Sequence, residues 1–168
     1  MKVLDYINTS LEEKPLFFFA RELERGLGYE DLLQNYHIVC IEQHALIEPL
    51  RERGVSIFCL EEEGETLAIK SVGNLVKHPK VRKWIREKSK QGFYAQSFYT
   101  SGPFEYHIKN LGGELLQPTY KSQSYLENKI NQTKLFKEHN ISTPKTIETN
   151  LQNAVYDEIV GQFESQKI

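Results

Sequence analysis

The chain has 168 residues, 39% of them hydrophobic and 26% charged, which is enough sequence for one domain with its own core. Its formal net charge is −2, from 21 Lys and Arg against 23 Asp and Glu, so bulk electrostatics favour neither nucleic acid nor a membrane surface as a partner. No apolar run approaches the roughly 20 residues that span a bilayer. The first residues also lack the long apolar segment of a signal peptide, and we therefore expect a cytoplasmic protein.

The first 36 residues give no clear pattern. Leu16–Ala20 is apolar, Arg21–Arg25 is helix-like, and Gly26 is a plausible stop for such a helix. The role of residues 1–36 stays open at this stage.

From residue 37 onward the pattern predicts a strand, a helix and a second strand. Ile38–Ile41 and Val55–Leu60 are short apolar runs typical of strands buried on both faces. Between them, Ala45–Arg53 has a helical apolar face and ends at Gly54. Short connections of this kind predict parallel pairing with a right-handed crossover.

The alternation continues to residue 118. The predicted elements are a helix over Val81–Lys90 that starts near Pro79, a strand over Phe93–Tyr99, a helix over Phe104–Leu111 that ends at Gly112, and a strand over Glu114–Pro118. Alternation of this kind predicts an α/β fold, Rossmann-like, with a mostly parallel sheet flanked by helices. A polar loop is expected over Thr119–Ser124.

The two cysteines do not form a disulfide framework. Cys40 and Cys59 each lie within one of the predicted strands, where buried thiols are common. The five histidines show no zinc-ligand spacing, so no metal site is predicted.

A basic stretch over residues 77–90 carries seven Lys and Arg, including Lys77, against one Glu, with Trp84 among them. It suits either a polyanion-binding face or the solvated side of a helix whose Trp84 and Ile85 enter the core. The slightly acidic balance of the chain favours the solvated helix.

Two loops that follow predicted strands are candidate substrate contacts. Ser101 and Gly102 precede a helix, so backbone amides there could meet an anion. Gln43 and His44 follow the first clear strand. No G-x-G-x-x-G follows a strand, which weakens a third hypothesis, a stand-alone Rossmann enzyme.

The chain ends in a distinctive order of residues. Asn128-Lys129-Ile130 opens a predicted helix over Asn131–His139, and Ile141–Thr146 follows in extended form. This order resembles the junction at which ATP-grasp ligases begin, although Asn140 replaces the usual glycine. The resemblance implies a pre-ATP-grasp domain over residues 1–125, followed by a linker and the first helices of a truncated ATP-grasp domain over residues 126–168.

The resemblance also implies a function. The parent protein would be an ATP-dependent carboxylate–amine ligase that acts through an acyl phosphate, with ATP and Mg²⁺ as cofactors and Lys129 as a nucleotide contact. The chain alone would not be catalytic, because the remaining machinery would lie beyond the predicted helix over Leu151–Phe163. Its expected partners are the missing ATP-grasp domain, small carboxylate and amine substrates, and a second copy of itself. The alternative is a non-catalytic interaction module that uses the basic stretch over residues 77–90.

Overall fold

The computed structural model of the chain describes residues 3–144, 146 and 160–161. Seven α-helices and five β-strands lie within these residues. The helices are α1 (Val3–Glu13), α2 (Ile47–Glu52), α3 (Val72–Lys77), α4 (Pro79–Lys88), α5 (Gly102–Asn110), α6 (Tyr120–Glu127) and α7 (Lys129–Glu138). The strands are β1 (Leu16–Ala20), β2 (Tyr36–Cys40), β3 (Ser56–Cys59), β4 (Phe93–Ser97) and β5 (Gly113–Leu115).

The five strands form one parallel sheet in the order β3-β2-β1-β4-β5. The predicted α/β, Rossmann-like class is confirmed. The central strand is β1, in which Phe19 is the register partner of both Val39 and Ser97. This strand comes from the part of the sequence that gave no clear pattern. Its apolar run is continuous because both faces of a central parallel strand are buried.

Alternate residues of β1 enter two separate layers of core. Phe17 and Phe19 pack on one face with side chains of α3, α4 and α5. Leu16 and Phe18 pack on the other face, with side chains of α1 and α2. The period of two along a strand therefore places helices on both sides of the sheet.

Two predicted helix ends are confirmed, and each has a glycine in a conformation that other residues disfavour. Gly54 follows α2 at φ 91° and Gly112 follows α5 at φ 81°, conformations that disfavour other residues. The loop expected over Thr119–Ser124 is wrong, because α6 begins at Tyr120. The backbone amide of Tyr120 donates to Glu105 Oε2 at 2.7 Å, a contact from distant sequence that helps to start the helix.

The chain divides into two units, Met1–Gln123 and Ser124–Ile168. In the second unit, α7 is capped by Asn128, whose Oδ1 accepts from the amides of Ile130 and Asn131. Asn140 lies after α7 at φ 54°, the left-handed conformation that asparagine tolerates. Apart from residues 160 and 161, the helix predicted over Leu151–Phe163 lies outside the described residues.

None of the helices in the described residues is long and apolar enough to cross a membrane.

Candidate functional site: a crevice at the ends of β1 and β4

The strand order creates a crevice beside the central strand. From β1 the chain proceeds to β2 and β3 on one side, whereas β4 and β5 lie on the other. The loops that leave β1 and β4 therefore separate above the sheet, and ligands of open α/β folds bind at this kind of place. A cavity of about 460 Å³ lies here, which we call the β1–β4 cavity. Its lining is Phe19, Ala20, Arg21, Glu22, Arg25, Lys70, Ser71, Val72, Phe98, Tyr99 and Ser101.

Two of its cations are tied to carboxylates at neighbouring strand ends. Arg21 Nε donates to Glu42 Oε1 at 2.9 Å, and Lys70 Nζ donates to the same oxygen at 3.0 Å. Lys70 also donates to Glu61 Oε1 at 2.7 Å. Hydrogen bonds from Lys70 and Arg21 lower the pKa of Glu42, and a hydrogen bond from Lys70 lowers that of Glu61. Both carboxylates are therefore held ionised, and they fix the two cations at the edge of the cavity.

Arg25 is the third cation. Its Nε donates to Glu22 Oε2 at 3.0 Å, and its guanidinium lies 4.6 Å from the centroid of the Phe98 ring. Arg21 and Arg25 both use Nε for their carboxylates. Their outer nitrogens have no hydrogen-bond acceptor among the residues that the structure describes. These outer donors are the groups that an incoming anion can engage.

A second cavity, of about 520 Å³, lies beside the first. We call it the Tyr29 cavity; its lining is Phe18, Arg25, Leu27, Gly28, Tyr29, Gln96, Ser97 and Phe98. Arg25 and Phe98 belong to both cavities, so this stacked pair lies where the two meet.

Ser101 and Gly102, predicted from sequence, lie at this crevice. Ser101 lines the β1–β4 cavity and caps α5, with its hydroxyl accepting from the Phe104 amide at 3.3 Å. Gly102 is the first residue of α5 and lies against Tyr120. Of the two predicted loops, the structure places the one that contains Ser101 at the cavity. The role of Ser101 and Gly102 as substrate contacts stays a prediction.

Gln43 and His44 have local partners instead. The Gln43 amide donates to Glu61 Oε2 at 3.0 Å, and His44 Nε2 lies 3.0 Å from Glu24 Oε1. Neither residue lines the two cavities. Lys129 lies in the second unit at the start of α7, where its Nζ donates to Gln132 Oε1 at 3.0 Å. No observation tests the nucleotide role predicted for it.

Sequence reasoning missed the charged and aromatic residues of the crevice. Arg21 and Arg25 follow the unassigned apolar run, and interpreting that run as a strand would have placed both at a strand end. Phe98 and Tyr99 were assigned to a strand, which in the structure ends at Ser97. No sequence pattern pointed to Lys70 as a site residue, because only the fold brings it beside Glu42.

Most of the basic stretch over residues 77–90 lies on α4, which packs its apolar side against the core. Trp84 packs against the core while Ile85 is buried. Lys80 pairs with Glu65 at 3.0 Å, and Lys88 lies over the Trp84 ring at 5.1 Å. No observation tests the alternative of a polyanion-binding face, which stays a prediction.

No protein-family model and no curated protein matches the chain. Two solved structures are similar to it: an apo double mutant of Etr1p (17% identity, TM-score 0.32) and the mitochondrial 2-enoyl thioester reductase Etr1p/Etr2p heterodimer from Candida tropicalis (16% identity, TM-score 0.28). They cover 96% and 95% of this chain, which spans 56% and 57% of theirs. TM-scores this low carry no inference about the function of the chain.

The resemblance to ATP-grasp ligases is wrong. None of the comparisons with family models, curated proteins and solved structures finds such a ligase. The ligase function, its acyl-phosphate chemistry, and the ATP-binding and magnesium features drawn from the family fall with the resemblance. The motif has a local explanation, since Asn128 caps α7, Lys129 occupies its first turn and Asn140 ends it. Helix-boundary chemistry alone favours asparagine at the N-cap and directly after the helix, and a surface lysine needs no nucleotide to explain it.

The crevice presents several groups that can bind a ligand. Both cysteines are buried in the sheet, away from the cavity lining. Among the residues that the structure describes, no three His, Cys, Asp or Glu side chains are grouped to hold a metal ion. What the site does offer is outer guanidinium donors, an ammonium, a hydroxyl and an exposed aromatic ring.

Proposed function

We propose that the β1–β4 cavity binds the anionic group, a phosphate or carboxylate, of a small organic molecule. The observation that carries the proposal is the pair Arg21 and Arg25: their Nε atoms are anchored to Glu42 and Glu22, while their outer nitrogens have no acceptor within the described part of the chain. A guanidinium held in this way can give two parallel hydrogen bonds to an oxyanion with little loss of side-chain entropy.

Two further groups support an anion at this place. Lys70 adds positive charge, and the pKa of its ammonium is raised by the hydrogen bond to Glu61. Ser101 and the first turn of α5 add a hydroxyl and the positive end of a nine-residue helix.

The acids nearby set the strength of binding. Arg21, Arg25 and Lys70 are matched by Glu22, Glu42 and Glu61, so the cluster is close to neutral. Neutrality predicts modest affinity for a simple anion, with additional affinity coming from the rest of the ligand. The proposal is therefore a binding domain for one class of small molecule. We also propose a reducing, cytoplasmic setting, supported by two free cysteines in the sheet.

The test is a titration of the ¹⁵N-labelled protein with inorganic phosphate, followed by amide shifts in two-dimensional NMR. Shifts should concentrate in residues 21–25 and 98–102. Arg25→Gln should weaken binding roughly 10-fold, because a hydrogen bond to a charged group contributes about 1.5–3 kcal/mol. Arg86→Gln, an exposed arginine of α4, is the matched control and should bind phosphate as the wild type does. Equal affinity of the Arg25→Gln variant, or shifts elsewhere on the protein, would overturn the proposal.

A further inference from the structure

Phe98 is the most exposed aromatic side chain of the crevice, at 73%. It lies immediately after β4 and lines both cavities. The Arg25 guanidinium covers part of its ring. Single exposed aromatic residues are common on protein surfaces, so exposure alone does not make Phe98 a binding element.

The backbone on either side of Phe98 is held by a buried polar network. The Ser97 amide donates to Gln117 Oε1 at 2.6 Å, and the Ser97 hydroxyl donates to the Tyr99 carbonyl at 2.9 Å. Gln117 Nε2 also donates to the Thr100 hydroxyl. Thr100 is fully buried, and its hydroxyl donates to the Pro118 carbonyl at 2.9 Å. The loop is thus fixed by side chains that are buried, while Phe98 is directed to solvent.

This arrangement lowers the cost of stacking a ligand on Phe98. A ring on a backbone that is already ordered loses little conformational entropy when it is covered. The hydrogen bonds that hold Ser97 and Thr100 also resist a collapse that would bury the ring.

The Tyr29 cavity supplies a second aromatic side chain. Tyr29 is 45% exposed and packs edge-on against Tyr36, with ring centroids 6.1 Å apart. Tyr36 is buried, and its hydroxyl donates to the Gly26 carbonyl at 2.6 Å. The loop that carries Tyr29 is therefore also tied to the sheet.

We propose that the ligand carries a planar aromatic ring, which stacks on Phe98 in the Tyr29 cavity while its anionic group binds in the β1–β4 cavity. This inference rests on the proposed function and narrows it to aryl phosphates and aryl carboxylates. Arg25 lies at the junction of the two cavities and contacts both parts of the ligand. Stacking on Phe98 supplies the affinity that the nearly neutral ion cluster lacks.

The experiment compares phenyl phosphate with cyclohexyl phosphate, which has a similar size and the same charge but no π face. Titration calorimetry or NMR gives both dissociation constants for the full chain. Phenyl phosphate should bind the wild type about 3- to 10-fold more tightly, in the range of aromatic pair interactions. Phe98→Leu, which keeps an apolar side chain, should abolish that preference.

Tyr106→Leu is the control variant, because Tyr106 is a comparably exposed ring (63%) on α5 that lines neither cavity. It should keep the wild-type preference. Equal affinities of the two phosphates for the wild type, or a preference that survives Phe98→Leu, would overturn the inference while leaving anion binding intact. Failure of both phosphates and of inorganic phosphate to bind would overturn the proposed function and, with it, this inference.

Discussion

Glu22 is the carboxylate of the β1–β4 cavity that competes most directly with an anionic ligand. It accepts from Arg25 Nε at 3.0 Å and lies 3.5 Å from Arg21 Nε. All three side chains are partly exposed, so the ion pairs themselves contribute little to folding stability. The negative charge of Glu22 still acts on a ligand that enters between the two arginines.

Glu22→Gln should therefore tighten phosphate binding by roughly 3- to 10-fold, because it removes one negative charge a few ångströms from the anion. The NMR titration of the proposed function measures this change. Glu87→Gln, an exposed acid on α4, is the matched control and should leave the affinity unchanged. A weaker or unaltered affinity for Glu22→Gln would contradict the electrostatic account of the cavity.

His37 is a second residue whose surroundings should affect a measurable property, the pH dependence of folding stability. It is 7% exposed, its ring stacks on Phe17 at 4.8 Å, and its buried Nδ1 has no hydrogen-bond partner in the part of the chain that the structure describes. Burial, assisted by the charge of Lys88, lowers its pKa to about 4. The folded chain thus keeps His37 neutral at pH values where the unfolded chain, with its ordinary pKa near 6.5, binds a proton.

Stability should consequently fall as the pH drops from about 6.5 to about 4, by an amount on the order of 3 kcal/mol from this residue. Urea unfolding at several pH values measures the slope. His37→Phe should flatten it in that window, whereas His139→Gln, at an exposed position after α7, should not. An unchanged slope for His37→Phe would show that other groups cause the acid sensitivity.

At the scale of elements, α3 and α5 come together at Gly73. A Cβ on Gly73 would lie 2.9 Å from Pro103 Cβ, closer than real Cβ contacts, and 3.2 Å from the Phe104 amide nitrogen, a tight contact. The N-cap residues of these two helices, Ser71 and Ser101, both line the β1–β4 cavity. Their close approach therefore shapes the site.

Gly73→Ala should destabilise the protein by about 1–3 kcal/mol and weaken phosphate binding, because the two helices must separate. Gly102→Ala is the control at the same junction. Its Cβ would meet Tyr120 Cδ1 at 3.5 Å, an ordinary contact, and both stability and affinity should change little. Urea unfolding and the phosphate titration test both variants, and equal behaviour of the two would refute the packing argument.

At the scale of the whole molecule, Cys40 and Cys59 report on global opening. They are register partners on β2 and β3, and both are buried. A hydrogen bond with Cys59, followed by burial, raises the pKa of the Cys40 thiol. The Cys40 thiol is therefore held protonated and is a poor nucleophile, while burial in the sheet shields the sulfur of Cys59.

N-ethylmaleimide should therefore add to neither cysteine in the native protein and to both after unfolding in guanidinium chloride, as followed by intact mass. The labelling rate should track the free energy of unfolding, since the sheet must open to expose either sulfur. Rapid labelling of the native chain would contradict the buried placement.

The α/β class followed from residues 37–118 alone, because apolar runs alternate there with helical faces and glycine stops. The buried cysteines followed from the same runs. Other outcomes required tertiary structure. Leu16–Ala20 is the centre of the sheet, but its apolar run lies outside the clear strand–helix–strand pattern that identified Ile38–Ile41 as a strand. The start of α6 is stabilised by Glu105, a residue 15 positions away, as well as by the local cap Thr119.

For the site, the sequence by itself determined Ser101 and Gly102 as a loop between a strand and a helix. Only the fold decided that this loop faces Arg21, Arg25 and Lys70. Those cations gather because parallel strands end together at one edge of a sheet, whatever the distance along the chain between them. The family resemblance failed for a related reason: Asn128 and Asn140 satisfy local rules for helix ends, and local rules recur in unrelated proteins. Hydrophobic periodicity arises from neighbouring residues, so it can be recognised in a single sequence. A binding crevice depends on which strands lie next to each other in the sheet, and only the tertiary structure shows that.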